Sequence, residues 1–460
     1  MITRVVALIL CLPYFLNAQP TTPTFAKAEV LKDLDYLYES LQEAHYDLYA
    51  YVPRETIDSV YTSVKQSVQQ DSLSLLEATN TLQRLISAAA MGHTYIDYPV
   101  QAYIEYAYAG GTLFPLEVAF EDGKSLVRKN FSSDDKIPVG GEIRRINGQS
   151  MPKILAAIYP HISAERLYLK QAKIEMYSFP RFYWQVFGQQ DEFSVDIRSN
   201  GNTKTFHISA VPVIDGYEAR RNEILNTTLD LTFYESAAYL NPGSFGGDLE
   251  SYQHFLDSAF AKINERGSQQ LIIDLRNNSG GDDAFSDYLV SYIADQPFQW
   301  NSGFTLKTSA FLKDHVRQHK DTTNAYFRSI LDHEDGDIYE YEFDDYQPQP
   351  AVRRFHGKVY VLVNRQSHSQ AAVTAAQIRD YGLGTIVGEE TGDYPSLYAS
   401  NFQFNLPKTG ILVHASKGRI IRVNGSTREE GVIPHIRIRD HLLDEEDEVL
   451  EGVLERLQGG

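Results

Sequence analysis

Residues 271–281 read Leu-Ile-Ile-Asp-Leu-Arg-Asn-Asn-Ser-Gly-Gly, a short apolar run followed by a polar turn and two glycines. An apolar run of this length is typical of a strand that is buried on both faces of a parallel sheet. Val359-Tyr-Val-Leu-Val363 has the same character and leads through a polar turn into a predicted helix over about 370–381. Thr385-Ile-Val387 supplies another such strand, and a helix with one apolar stripe begins at Asp248. Helices that alternate with short apolar strands predict an α/β layer with parallel strands.

The chain before this layer has two regions that differ in the spacing of their apolar residues. Residues 26 to about 90 carry apolar residues at three- and four-residue steps, which predicts helices, with a break at Pro53. From Gly110 to about Val213, short β-like runs alternate with turn residues. From the N-terminus, the sequence predicts a signal peptide at 1–18, a helical region at 19–109, a β-rich module at 110–213 and an α/β core at 214–460.

The composition is that of a large, acidic, globular protein. Among its 460 residues, 61 acidic and 42 basic side chains give a formal net charge of −19. A nucleic-acid groove and an anionic membrane surface both need a basic face on the protein, so neither is expected as the main partner. With 43% apolar residues, the chain is expected to form real cores, and its length suggests two or three domains.

The first 18 residues have the pattern of a cleaved export signal. Arg4 precedes an apolar run over 5–16, and Ala18 is a small residue at the expected cleavage position. A membrane-spanning helix needs about 20 apolar residues, so we predict no stable membrane insertion and a protein that is periplasmic or secreted. Cys11 is the single cysteine and lies inside this segment. Cleavage would therefore remove the one cysteine, so the mature chain would have no thiol nucleophile and would depend on hydroxyl or carboxylate groups.

The turn after Val363 carries the most informative hydroxyl groups. The sequence Asn364-Arg-Gln-Ser-His-Ser369 lies between a buried strand and the start of a helix. A serine at this position gains from the helix dipole and from nearby backbone N–H groups, which can stabilise an oxyanion. Strand, turn, serine and helix are also the arrangement of an ordinary helix N-cap, so the pattern alone leaves both interpretations open.

Two further features could serve such a hydroxyl. Gly280 and Gly281 allow a ligand to approach the backbone and present N–H donors, although a plain glycine turn has the same composition. His93 could act as a general base, because a histidine pKa near 6.5 suits proton transfer at neutral pH, but a structural histidine is the other interpretation. His368 is a rival base that ranks lower, since adjacent residues on one turn usually point apart.

These features, in this order and spacing, resemble the tail-specific (C-terminal-processing) serine peptidases and the related tricorn protease core. Residues 271–281 are similar to the DLRxNxGG signature of that family, and residues 359–391 are similar to its nucleophile segment. Residues 137–158 are similar to its divergent PDZ-like module. The resemblance implies a multidomain α/β (α+β) protein with an N-terminal helical region, a PDZ-like module and a ClpP/crotonase-like α/β catalytic core.

Carried over residue by residue, the resemblance assigns a nucleophile and an oxyanion hole. Ser369 matches the nucleophile because it stands 12 residues before Tyr381-Gly382, whereas Ser367 is two residues too early. The N–H of Gln370, together with Gly280 or Gly281, would form the oxyanion hole.

The resemblance also assigns a general base and an acidic residue. The tail-specific enzymes use a lysine about 25 residues beyond the nucleophile, where this chain has Tyr394. The tricorn-like branch instead uses a histidine from the N-terminal part, which maps onto His93. Its late acidic residue maps onto Glu429 or Glu430, and we take Glu430 as the third catalytic residue.

The sequence therefore predicts an exported serine endopeptidase that acts on peptides or proteins and uses no cofactor and no metal. The acidic stretch from Asp332 to Asp345 begins like a calcium loop, but Gly336 occupies a ligand position, so a solvated hairpin is expected. Gln370 and Ala372 differ from the commoner family residues, which keeps a catalytically silent peptide-binding homologue as the alternative. A carbohydrate-active enzyme would fit the acidity and the 30 tyrosines, but the sequence shows no specific carboxylate pair.

Overall fold

The computed structural model describes residues 23–224 and 228–458. The predicted signal peptide, with Cys11, lies outside these residues. Within them, no helix combines the length and the apolar character that crossing a bilayer requires.

The N-terminal region is helical, as its apolar spacing predicts. The first helix buries Val30, Leu34 and Leu37, and Pro53 stands immediately before the second helix. The elements of this region are β1 (Thr24–Ala26), α1 (Lys27–Ala44), α2 (Arg54–Ser67), β2 (Ser72–Ser74), α3 (Leu75–Ile86), β3 (Tyr95–Ile96) and α4 (Val100–Tyr108).

The next region is a sheet with three helices. The N–H of Val213 donates to the carbonyl of Gly111 at 3.0 Å, so the chain enters and leaves this module side by side. The elements are β4 (Thr112–Leu113), β5 (Leu116–Glu121), β6 (Lys124–Asn130), β7 (Glu142–Ile146), β8 (Gln149–Ser150), α5 (Met151–Ile158), α6 (Leu167–Tyr177), α7 (Phe179–Phe187), β9 (Glu192–Ser199), β10 (Asn202–Ser209) and β11 (Val211–Pro212). The main sheet has the order β10-β9-β7-β6-β5, with β8 paired to β7. The PDZ-like character of this module stays a prediction.

The third region is the predicted α/β layer with an additional small sheet. Its elements are β12 (Asp230–Phe233), β13 (Ala238–Asn241), α8 (Leu249–Glu265), β14 (Gln270–Asp274), α9 (Asp283–Ser291), β15 (Gly303–Lys307), α10 (Ala310–His319), α11 (Ala325–Asp332), β16 (Ile338–Glu340), β17 (Lys358–Val363), α12 (Gln370–Asp380), β18 (Thr385–Gly388), β19 (Leu397–Asn405), β20 (Leu412–Ile421), β21 (Ile436–Arg437) and α13 (Glu448–Gln458). The main sheet has the order β12-β13-β14-β17-β18-β21 and is parallel from β13 to β21.

Both faces of this sheet are covered, which explains the uninterrupted apolar runs. On one face Leu271 and Ile273 pack with residues of α8 and α9, and on the other Ile272 and Leu362 pack with residues of α13. Because β14 and β17 are parallel neighbours, their carboxyl ends lie at the same edge of the sheet. The double-glycine turn and the Ser369 turn therefore meet there.

The small sheet has the order β16-β15-β20-β19, and β3 from the N-terminal region pairs with β20. The acidic segment expected to be a hairpin instead contributes β16, which pairs with β15. The pairing of β3 with β20 brings the segment that follows His93 onto the α/β region.

Candidate active site

Ser369 occupies a strained turn between β17 and α12. Its backbone has φ 53° and ψ −126°, a left-handed conformation that non-glycine residues rarely adopt. Ser369 stands at the N-cap position of α12, but its side chain makes no capping hydrogen bond to that helix. Ser367 has a different role, because its buried hydroxyl donates to the carbonyl of Leu275 at 2.8 Å and accepts from the N–H of Asn364.

His93 lies directly opposite Ser369. Its Nε2 atom is 2.9 Å from Oγ of Ser369, across a separation of 276 residues in the sequence. Next to it, Oγ1 of Thr94 accepts from the Ser416 N–H and lies 2.8 Å from Nε2 of His45, which fixes the turn against β20. The pairing of β3 with β20 and the buried hydrogen bonds of Thr94 therefore position the His93 imidazole beside Ser369.

The module holds the backbone of the residue before His93. The N–H of Gly92 donates to Oε1 of Glu165 at 2.7 Å, and Nζ of Lys173 donates to the carbonyl of Gly92 at 3.2 Å. A Cβ at position 92 would lie 2.9 Å from Oε2 of Glu165, so a larger residue there would displace the Glu165 carboxylate. Burial raises the pKa of Glu165 to about 7.

Helix α6 of the module also contacts the nucleophile turn. Glu175 accepts from both Nε and Nη2 of Arg365, at 2.6 and 2.9 Å, and from the side-chain amide of Gln366. Glu175 and Arg365 are almost fully buried, so each charge depends on the other for compensation. Helix α6 thus contacts both segments of the site. Lys173 binds Gly92, the residue before His93, and Glu175 binds Arg365 in the turn before Ser369.

Asp393 is the acidic group at this site, and the sequence analysis missed it. Its Oδ2 accepts from the Ser369 N–H at 2.8 Å and lies 3.7 Å from Nε2 of His93. The same oxygen lies 3.4 Å from Nε2 of His368, whose ring stacks on that of His93 at 5.0 Å between centroids. The side chain of Asp393 is fully buried.

The assignment of Glu430 as the third catalytic residue stays a prediction, because no bond described in the structure joins Glu430 to Ser369, His93 or Asp393. The side chain of Glu430 is 41% exposed and lies 3.7 Å from Arg428, in a surface cavity that Arg379 and Arg422 also line. The family pattern places an acid in this loop, but the loop joins β20 to β21 without a regular register that sequence spacing could fix. The sequence signal for Asp393 is its place 24 residues after Ser369, next to Tyr394.

The surroundings lower the pKa of both histidines and of the carboxyl group at this site. Burial lowers the pKa of His93, although Asp393 opposes that shift. Burial also lowers the pKa of His368, to about 3. Burial alone would raise the pKa of Asp393, but His368, His93 and the Ser369 N–H together hold it below its ordinary value.

The double-glycine turn packs against the nucleophile. A Cβ on Gly280 would lie 2.6 Å from Cβ of Ser369 and 2.7 Å from the nitrogen of Gln370. The Gly280 N–H already donates to Oδ1 of Asn278 at 2.8 Å, so Gly281 is the better candidate donor of the two. The Gln370 N–H is at the first position of α12, where no intrahelical acceptor exists.

The site can therefore carry out acyl-transfer chemistry. A hydroxyl lies beside a neutral imidazole, backbone N–H groups adjoin that hydroxyl, and a buried carboxylate lies within 4 Å of the imidazole. Nδ1 of His93 is buried without a hydrogen-bond partner among the described residues. Asp393 consequently acts through space on the Nε2 side, unlike an acid that orients the far nitrogen of the ring.

Comparisons with known proteins relate the chain to one family of peptidases. Residues 236–438 match the model of peptidase family S41. A tail-specific protease from Haemophilus influenzae is 28% identical over 184 residues, which cover 38% of this chain and 21% of that protein. The aligned stretch thus spans about a fifth of the curated relative. The predicted resemblance to the tail-specific proteases is confirmed by these two matches.

Solved structures resemble the chain over nearly its whole length. Mature CPAF matches 94% of this chain and 96% of its own, at 15% identity and a TM-score of 0.61. Mature CPAF complexed with lactacystin matches 94% and 97%, at 16% identity and the same TM-score of 0.61. At such identity the likeness shows the fold, and the predicted multidomain α/β fold class is confirmed.

Proposed function

Because its α/β core, residues 236–438, belongs to peptidase family S41, we propose that this protein hydrolyses peptide bonds with Ser369 as nucleophile and His93 as general base. The observation that carries the proposal is the 2.9 Å contact between Oγ of Ser369 and Nε2 of His93. Such a contact between two side chains from distant elements is what a hydroxyl nucleophile and its base require. Peptides or proteins are the proposed substrates.

The proposed reaction proceeds in two halves. His93 takes the proton of Ser369 as Oγ attacks the peptide carbonyl, and the N–H groups of Gly281 and Gln370 hold the oxyanion. The protonated imidazole then gives its proton to the leaving amine, and an acyl-enzyme remains. Water, deprotonated by His93, attacks the acyl group, and the serine regains its proton from the imidazole. The negative charge of Asp393 favours the imidazolium form in both halves.

Digestion of an unfolded protein such as casein tests this function. We expect the wild type to release new amino termini and Ser369→Ala to fall to the background rate, because the attacking oxygen is gone. Ser209→Ala is a matched control, since that hydroxyl lies on the module surface and donates to Glu192. A Ser369→Ala variant that digests casein as fast as the Ser209→Ala control would contradict the proposal.

The acid limb of the pH profile is expected below the ordinary histidine value. His93 must be neutral to accept a proton, so activity is present above its pKa and is lost as the pH falls through it. Because burial lowers that pKa, the midpoint in kcat/KM should lie below about 6.5. The profile is measured with a peptide that does not titrate in this range.

Glu165 needs a separate control because its pKa is about 7. Glu165→Gln keeps an oxygen that can accept from the Gly92 N–H but removes the titration. A midpoint at or above 6.5 that persists in Glu165→Gln would contradict the assignment of a neutral, buried His93 as base.

We further propose that the protein is exported, as a periplasmic or secreted enzyme. The support is the charge, apolar run and small residue within positions 1–18. Mass spectrometry of the exported protein should find Gln19 as its first residue. A mature chain that retains Met1 would rule out the cleaved signal.

A further inference from the structure

Two histidine nitrogens face one carboxylate oxygen at the active site. Nε2 of His93 and Nε2 of His368 lie 3.7 and 3.4 Å from Oδ2 of Asp393. The ligand-type atoms of these three residues all lie within 4.8 Å of one another. Their side chains are 8%, 16% and 0% exposed. The peptidase mechanism uses His93 and Asp393, but it gives no task to His368.

The hydrogen bonding of His368 defines which of its nitrogens is free. Its Nδ1 lies 3.3 Å from the carbonyl of Ser279, and a carbonyl can only accept, so Nδ1 carries the proton. Nε2 then presents a lone pair. That atom is buried and has no hydrogen-bond partner among the described residues, although it faces the Asp393 carboxylate. Two acceptors that face each other in a buried site are unfavourable unless a proton or a metal cation lies between them.

His93 adds a second lone pair to the same place. Its Nε2 lies 2.9 Å from Oγ of Ser369, and when that hydroxyl donates the hydrogen bond, Nε2 is unprotonated and carries a lone pair. Three electron-pair donors, two imidazole nitrogens and one carboxylate oxygen, therefore lie within 4.8 Å of one another. This is a donor set that Zn²⁺ favours, whereas Ca²⁺ and Mg²⁺ prefer oxygen ligands alone.

From this convergence we propose that His93, His368 and Asp393 form a Zn²⁺ site whose occupation inhibits the enzyme. Zn²⁺ binds nitrogen and oxygen ligands at about 2.0–2.2 Å in a tetrahedron, which places neighbouring ligand atoms roughly 3.4 Å apart. The observed separations of 3.4 and 3.7 Å from Asp393 match that spacing. The two imidazole nitrogens lie within 4.8 Å of each other on nearly parallel rings, so the rings must turn towards one another to share the ion. Oγ of Ser369, 2.9 Å from Nε2 of His93, or a water molecule would complete the coordination.

The surroundings hold the ligands in place. The contact between Nδ1 of His368 and the Ser279 carbonyl is of the kind that orients metal-binding histidines. Asp393 is fixed by the N–H groups of Ser369 and Tyr394, at 2.8 and 3.0 Å. Inhibition follows because the ion takes the His93 lone pair that the serine proton needs. That inhibition rests on the proposed function, whereas binding of the ion does not.

A rival site on the surface supplies a matched control. His315 and His319 lie one turn apart on α10, with ring centroids 5.1 Å apart, and such a pair can also hold Zn²⁺. Replacing both by glutamine removes this pair on α10 and leaves His93, His368 and Asp393 unchanged. The double variant His315→Gln/His319→Gln therefore separates zinc bound at α10 from zinc bound at Asp393.

The test is calorimetric titration of Zn²⁺ into the full mature chain without an affinity tag. We expect one high-affinity ion per wild-type chain, and affinity about 100-fold weaker in His368→Gln and in Asp393→Asn. Ser369→Ala should stay within tenfold of the wild type, since water can replace the hydroxyl, and the α10 double variant within about threefold. Strong binding that survives both His368→Gln and Asp393→Asn, loss of binding in the α10 variant alone, or no binding by the wild type would each overturn the site.

A second readout, the labelling of Ser369, distinguishes this proposal from the proposed function. Zn²⁺ should slow the labelling of wild-type Ser369 by a fluorophosphonate, and a chelator should restore it. Zinc binding by Ser369→Ala together with an inactive wild type would reject the peptidase and leave the metal site standing. An active wild type that neither binds Zn²⁺ nor is protected by it would reject the metal site alone.

Discussion

Replacement of His93 by alanine is expected to lower kcat/KM by about 10⁴-fold or more. The loss follows from removal of the Nε2 atom that lies 2.9 Å from Oγ of Ser369, because an unassisted serine hydroxyl is a weak nucleophile at neutral pH. Since the two residues act as a unit, the double variant Ser369→Ala/His93→Ala should be little worse than either single variant. Steady-state hydrolysis of one peptide by all three variants measures this.

Two other histidines serve as comparisons for His93. His414 is also buried and lies 3.0 Å from a carboxylate, Asp97, but it contacts neither Ser369 nor Asp393 through any bond described in the structure. We expect His414→Ala to change kcat/KM by less than tenfold. His368→Ala should also cost far less than His93→Ala, because its Nε2 faces Asp393 and not the serine hydroxyl. If His368→Ala caused the larger loss, the base would have to be reassigned.

Gly280→Ala is expected to reduce kcat/KM by about 10²- to 10³-fold. The added Cβ would lie 2.6 Å from Cβ of Ser369 and 2.7 Å from the nitrogen of Gln370, so both the nucleophile and an oxyanion donor must move. Displacement of reacting groups by about 1 Å can cost 10²-fold, and loss of one oxyanion donor costs a similar amount or more. Peptide hydrolysis and the thermal midpoint are measured together, so that misfolding is recognised.

Gly267→Ala is the matched control for Gly280→Ala. Gly267 also has a positive φ, +65° against +84°, but a Cβ there would meet nothing within 4 Å. Both substitutions carry the cost of a left-handed backbone, about 1–2 kcal/mol, and only Gly280→Ala adds the clash. Equal loss of activity in the two variants would show that backbone strain, and not contact with Ser369, is responsible.

The sequence alone predicts those parts of the site that depend on local residue patterns and on the spacing of the family motifs. The apolar runs of β14 and β17 predict the parallel sheet, and parallel pairing brings the turns at Gly280 and Ser369 to one edge. The strained backbone of Ser369, with φ 53°, could not be predicted from the residues of the turn. His93 could be named only through the resemblance, since its approach depends on the pairing of β3 with β20.

The remaining contacts depend on tertiary packing. Asp393 was missed because the family comparison directed attention to a lysine near that position, which is occupied by Tyr394. Glu165 and Lys173 belong to the module, and only its docking on the N-terminal region brings them to Gly92. No periodicity in the sequence encodes such a contact. The assignment of Glu430 stays open for the same reason, because sequence spacing does not define how the loop between β20 and β21 folds.

The central claim is that Ser369 is a nucleophile activated by His93, and mass spectrometry after fluorophosphonate treatment tests it most directly. Our account predicts a single adduct on the peptide that contains Ser369 in the wild type, no adduct in Ser369→Ala, and labelling slowed by orders of magnitude in His93→Ala. An unlabelled wild type, or a Ser369→Ala variant that is labelled equally well, would contradict it.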